Sequence, residues 1–228
     1  MRIVLFSLAV LLSVPSLAAP DAKALLRKMS RQLASHTSVQ YTAYQTFKGP
    51  DRDDTLFFQQ HVAIARDKGD VQWGAKFRMA DFERSNDYLF YNRERICFVD
   101  QLKGRYRVVT PDSKGDRLPQ FYAGLVWEGF IRPEVYEAYQ DRNARWLKDT
   151  TIDGQLCYQL ELKEPGSRNR EVLAITKRGL TPVMRREYHY HAKEWEYNEV
   201  LLRATRYDQV DNNQFSRRQL PAWFTERR

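Results

Sequence analysis

VQWGAKFRM, residues 71 to 79, alternates along its whole length: Val71, Trp73, Ala75, Phe77 and Met79 share one parity, and Gln72, Lys76 and Arg78 the other. Successive side chains of an extended chain point to opposite faces, so this stretch predicts a β-strand with one apolar and one wet face. A helix would scatter the same residues around its circumference. How far this period of two extends decides the fold.

It extends over most of the chain. Upstream, SVQYTAYQTF (38–47) is rich in β-formers, GPDRDD (49–54) is a turn cluster, and TLFFQQHVAIAR (55–66) puts Leu56, Phe58, Val62 and Ile64 on one face and Gln59, His61 and Ala63 on the other. Downstream, DYLFYN (87–92), RICFVDQ (95–101) and GRYRVVT (104–110) have hairpin spacing, which predicts an antiparallel meander with one wet face. Later strands are expected in ARWLKDTTIDG (144–154), QLCYQLELKE (155–164), REVLAITKRG (170–179), TPVMRREYHY (181–190) and EWEYNEVLLRATRYDQV (194–210). The stretches IDG, PGSRN and KRGLTP supply the turns between them.

Two segments break the period. DAKALLRKMSRQLASH (21–36) spaces Ala22, Leu25, Leu26, Met29 and Leu33 for one face of a helix, with Asp21 placed as N-cap. After the turn-rich PDSKGDRLP (111–119), two short helices are expected at about 119–128 and 132–141, with Pro133 in the first turn of the second. Their aromatic residues, among them Phe121, Tyr122, Trp127 and Phe130, suit a lid over an apolar concavity. The C-terminal FSRRQLPAWFTERR is expected as an extended tail that packs Phe215, Leu220 and Trp223 along the sheet. The fold class is therefore mainly β (α+β), a strongly curved antiparallel sheet or unclosed barrel with an N-terminal helix and a central helical lid.

The chain opens MRIVLFSLAVLLSVPSLAAPDAK, a positive charge followed by an apolar run and small residues, which reads as a cleaved signal peptide over 1–18. The run is shorter than the ~20 residues of a membrane span, and no later stretch approaches that length. A single periplasmic domain over 19–228 is expected, a monomer without lipid anchor, since no cysteine stands at the cleavage point. The formal charge of +8 is scattered among acids. Such a surface is either an ordinary solvated one or one suited to anionic headgroups or acidic cell-wall polymers, with peripheral membrane contact allowed. Export speaks against nucleic acid as partner.

No GxSxG, SxxK, HExxH, GxGxxG or GxxxxGK[ST] is present, so the common catalytic signatures are missing and no cofactor is expected. His189 and His191, in REYHYHAKEWEY (186–197), are spaced to face one ion from a strand, with Glu187 in phase and Glu194 across the turn. The alternative is a plain hairpin in which Tyr188 and Tyr190 face inward and the histidines face water. Cys97 and Cys157 have neither zinc nor thioredoxin spacing, and a disulfide between them is left open. The aromatic load, 12 Phe, 13 Tyr and 5 Trp, is either a large core or the wall of an apolar cavity. For a cavity, the candidate wall residues are Phe58, Val62, Trp73, Phe77, Phe90, Phe98, Phe121, Trp127, Tyr158, Leu160, Tyr188 and Tyr190.

Three stretches resemble the LolA-like superfamily of periplasmic lipoprotein carriers: TTIDGQLCYQLEL (150–162), AITKRGLTPVMRREYHY (174–190) and VLLRATRYDQVDNNQFSRRQLP (200–221). The resemblance covers most of the chain, best from Thr151 to Pro221. It implies an unclosed, strongly curved barrel with a helical lid, enclosing a hydrophobic cavity for lipoprotein acyl chains, other lipids or regulatory partners. The expected function is a non-catalytic periplasmic binding or carrier protein for such a hydrophobic ligand. The alternative is an envelope protein-interaction or sensor module engaging a membrane protein.

Overall fold

The computed structural model describes residues 21–49, 56–81, 87–111, 130, 143–191 and 194–227. The expected signal peptide and the two expected lid helices with Phe121 and Trp127 lie outside these residues, as do the side chains of Leu56, Phe57, Asp81, His191 and Glu194.

One helix opens the described chain, α1 (Ala22–Ser35). Asp21 caps it as expected, its carboxylate accepting the Lys23 N–H at 3.0 Å. The strands follow in two groups. The first is β1 (Ser38–Lys48), β2 (Leu56–Arg66), β3 (Ala75–Asp81), β4 (Tyr88–Tyr91), β5 (Ile96–Asp100) and β6 (Arg105–Val109). The second is β7 (Asn143–Trp146), β8 (Thr150–Ile152), β9 (Gln155–Lys163), β10 (Arg170–Thr176), β11 (Pro182–His191) and β12 (Glu194–Tyr207), with a short β13 (Thr225–Glu226) at the end.

Each group is an antiparallel meander, and the pairing of β1 with β12 joins them into one sheet ordered β13-β6-β5-β4-β3-β2-β1-β12-β11-β10-β9-β7, with β8 on β9. The path has two ends, so the sheet is curved but unclosed. Bulges shift the register opposite Gln40 and Thr42, where Ala204 takes a φ of 52°, and again between Ala174 and Ile175. Such insertions bend and twist the strands that carry them. Asp153 and Gly154, both at positive φ (47° and 75°), form the two-residue turn that sets β8 against β9.

The parity of 71–79 holds only from Trp73 onward. Trp73, Ala75, Phe77 and Met79 are buried, whereas Val71 is fully exposed. The reason is Asp70, whose buried carboxylate accepts the N–H groups of Gln72 (3.3 Å), Trp73 (2.9 Å) and Ala75 (3.3 Å) and folds 71–74 into a bend. The Tyr91 hydroxyl donates to the same carboxylate at 2.7 Å.

Leu25, Leu26, Met29 and Leu33 of α1 are buried against Leu160, Leu162, Leu173 and Ile175 of β9 and β10. Each such side chain contributes about 1.5 to 3 kcal/mol. The helix ends on Arg66, which donates to the carbonyls of Leu33 (3.2 Å) and His36 (2.9 Å).

The C-terminal tail is not simply extended. It makes two short 3-10 turns (Asn212–Phe215 and Arg217–Gln219) before β13 pairs in parallel with β6. Phe215 is buried and Leu220 packs beside Phe90 and Cys97, as expected, but Trp223 is largely exposed and lies against Gly104.

Cys97 and Cys157, whose pairing the sequence leaves open, are both buried free thiols in the structure. They sit on β5 and β9, with seven strands between them in the sheet, each buried in its own apolar cluster.

Candidate ligand-binding face

The strand registers divide the side chains into two faces. The face under α1 carries two apolar clusters, and on β11 between them Arg185 stands opposite Leu173 and Val200. The helix-covered half is the cluster of α1 with Leu160, Leu162, Leu173 and Ile175, flanked by Trp146 and Tyr158. The other half joins Val39, Tyr41, Val62, Ile64, Trp73, Phe77, Met79, Leu89, Tyr91 and Ile96. Tyr207 touches both halves. Phe130 is seated in the second half with no exposure, under the Arg66 guanidinium at 4.4 Å. Ala43, Phe98 and Val200 border this wall and keep part of their surface accessible.

Toward the far ends of β10 to β12 the same face turns polar. Arg185 lies between Glu171 (2.9 Å) and Glu187 (2.5 Å), with His189 at 3.9 Å from Glu187. Gln45 donates to Asn198 at 2.9 Å across β1 and β12. Glu171 is almost wholly buried, and Arg185 at its side offsets the cost of burying its charge. The face therefore combines apolar clusters with a charged group on β10 and β11. Burial also pushes the Tyr207 hydroxyl up to about 12 and that of Tyr41 above its ordinary range, so both stay protonated and uncharged in the wall at neutral pH.

The expected wall residues divide between the two faces. Phe58, Val62, Phe77, Phe98, Tyr158 and Leu160 share the parity of the helix side, and Trp73 packs with them. Phe90, Tyr188 and Tyr190 lie on the opposite face, which corrects the expected phase of the 186–197 hairpin. There Tyr188 packs with Val172, Met184 and Leu201, and Arg168, Arg170 and Arg186 lie over Tyr190, Tyr188 and Tyr197 at 4.8, 4.3 and 5.8 Å. His189 takes the helix side instead. Parity states which residues share a face but not which face receives the helix, and here both faces carry aromatic rings.

No group of three or more His, Cys, Asp or Glu side chains is placed to hold a metal among the described residues. No helix of the described chain is long and apolar enough to cross a membrane. Period-two alternation marks neither Asp70, whose carboxylate caps the N–H groups that follow it, nor Arg185, whose partner Glu171 lies on the neighbouring strand.

No protein-family profile matches the sequence, and no curated protein does. Solved structures do match. LprF from Mycobacterium bovis aligns at a TM-score of 0.54 and 11% identity over 85% of this chain and 95% of its own. MucB in its complex with MucA from Pseudomonas aeruginosa aligns at 0.51 and 12%, over 86% of this chain and 60% of that one. The LolA superfamily protein NE2245 from Nitrosomonas europaea aligns over 88% and 99% at 15% identity, with a TM-score of only 0.36. The chain has a LolA-like fold. At these identities the likeness concerns the fold alone.

Proposed function

We propose that the protein is a non-catalytic binding or carrier protein of the periplasm whose helix-side face takes a lipid or another ligand with an apolar body and a polar end. One observation carries this reading: the face that seats Phe130 without exposure holds two apolar clusters joined through Tyr207, and the charged group of Arg185, Glu171 and Glu187 lies beside them on the same face. A ligand laid along it would bury methylenes at about 0.8 kcal/mol each and leave its polar end beside charges already paired. The carrier proteins that the fold resembles support the reading. Mass spectrometry of the purified full chain under native conditions is the test: a retained amphiphile that exchanges for an added long-chain fatty acid supports it, and a protein that neither retains nor takes up such a molecule contradicts it.

A second reading, an envelope interaction module, is favoured by the likeness to MucB, which is found in complex with MucA. It predicts a stoichiometric protein from envelope extracts and no amphiphile in the purified chain.

A further inference from the structure

The face opposite the helix holds a concavity that ligand carriage does not use. Between β1 to β3, β12 and the C-terminal segment lies a groove of about 340 Å³, and under the tail beside it lies a second of about 320 Å³. Arg78 and Gln214 line both, so the two adjoin. Each volume falls within the range of small-molecule sites, roughly 300 to 1,000 Å³.

The charge of this groove has one sign. Its walls carry Arg78, Arg206 and His61 and no carboxylate among the described residues. On the same face Arg145, Arg170, Arg186 and Arg203 each meet an acid. Arg78 instead stacks on the Tyr88 ring at 4.4 Å, and neither it nor Arg206 has an ion-pair partner among the described residues. His61, bonded to the Thr42 hydroxyl at 2.6 Å, is held below its ordinary pKa first by partial burial and then by the Arg78 charge.

Neutral polar groups and an aromatic platform complete the walls. The side-chain amides of Gln40, Gln101, Gln214 and Gln219 line the groove with no side-chain partner among the described residues, and each offers both donors and an acceptor. Trp223 keeps 64% of its surface exposed while its ring rests on Gly104, and Phe224 supports it at 4.4 Å.

We propose that this groove binds an acidic saccharide, a sugar chain bearing carboxylates. Guanidinium groups pair with carboxylate, and they do so best where no acid already occupies them. Side-chain amides match ring hydroxyls, and an open indole face matches the apolar C–H face of a pyranose. An anionic lipid headgroup would use the arginines but would leave the glutamine row and the Trp223 platform without a role.

The test is calorimetric titration of the full chain with tetragalacturonate, beside maltotetraose as the neutral control and phosphatidylglycerol vesicles as the lipid control. The acidic tetramer is expected to bind saturably, at least tenfold more tightly than the neutral one, and more weakly as salt rises. Arg78→Gln and Trp223→Ala are each expected to weaken it about tenfold. Arg206→Gln, at an exposed position, is expected to weaken it about threefold and gives a reading even if Arg78→Gln fails to fold. All three variants should take up an apolar probe on the helix side as the parent does, which separates this proposal from the carrier reading. No saturable binding by the parent, or equal binding by parent and variants, would overturn it. Tighter binding to the vesicles than to the tetramer, lost in Arg206→Gln, would overturn it in favour of a headgroup.

Discussion

Nδ1 of His36, just past the end of α1, lies 2.7 Å from Oδ2 of Asp208, just past the end of β12, and the His36 ring stacks on Tyr207 at 4.1 Å. The second oxygen of Asp208 accepts from the Thr37 N–H (2.7 Å), the Thr37 hydroxyl (2.9 Å) and the Ser38 N–H (3.3 Å). One carboxylate therefore fixes the junction of α1 and β1 to the last long strand, and so fixes the helix over the wall.

These hydrogen bonds, His36 foremost, hold the Asp208 carboxyl well below the ordinary carboxylate range. A depressed folded pKa stabilises above the unfolded value near ~4, and that stability is lost as pH falls below it. About half of the side chain faces water, which screens the interaction, so Asp208→Ala should cost about 1 kcal/mol at pH 7. Urea unfolding between pH 7 and pH 3 should show a smaller loss of stability in the variant than in the parent.

Asp70 is the buried counterpart. Removing its carboxylate leaves the N–H groups of Trp73 and Ala75 and the Tyr91 hydroxyl without this acceptor, so Asp70→Ala should cost about 3 kcal/mol by denaturant unfolding. Tyr91→Phe should cost less, about 1 kcal/mol, since the bend keeps its backbone bonds. Burial, and then the bond to Asp70, raise the Tyr91 pKa. A raised tyrosine pKa stabilises below the unfolded value near ~10, so the parent should lose stability above that pH more steeply than Tyr91→Phe.

Gly104 has a φ of 59°, and a Cβ placed on it would lie 1.9 Å from the Trp223 ring. Gly104→Ala should displace Trp223 and destabilise by about 2 kcal/mol, with a changed near-ultraviolet circular dichroism band. Gly154→Ala, at a φ of 75° with open space around it, should cost about 1 kcal/mol from the backbone alone and leave that band unchanged.

Both cysteines are buried thiols, and burial pushes Cys97 up to about 11. Thiolate is the reactive species, so a thiol reagent at pH 8 should modify neither in the folded protein and both after denaturation without reductant. A reading of zero thiols in the denatured protein would show a bridge instead.

What could be read from the sequence follows from the range of each interaction. The strands, the helix and its cap rest on local period and local hydrogen bonds, and 38–47, 87–110 and Asp21 are found as expected. The LolA-like fold was legible in three stretches around the β8–β9, β10–β11 and β12 segments. Val71 departs from its period because Asp70 binds three following N–H groups, a contact that alternation does not record. Tyr188 and Tyr190 departed because the side that α1 covers is chosen by Leu160, Leu162, Leu173 and Ile175, on β9 and β10 outside that hairpin. The grooves of the opposite face require the tail to fold back over β3 and β4, which no local pattern in 211–227 announces.

The most direct test of the central claim is titration with a fluorescent long-chain fatty acid of the parent, of Phe98→Glu and Val200→Glu on the helix side, and of Tyr190→Glu on the opposite face. The parent and Tyr190→Glu should bind with equal affinity, and the two helix-side variants at least tenfold more weakly while unfolding within a few degrees of the parent. Equal binding by all four proteins, or none by the parent, would contradict the account.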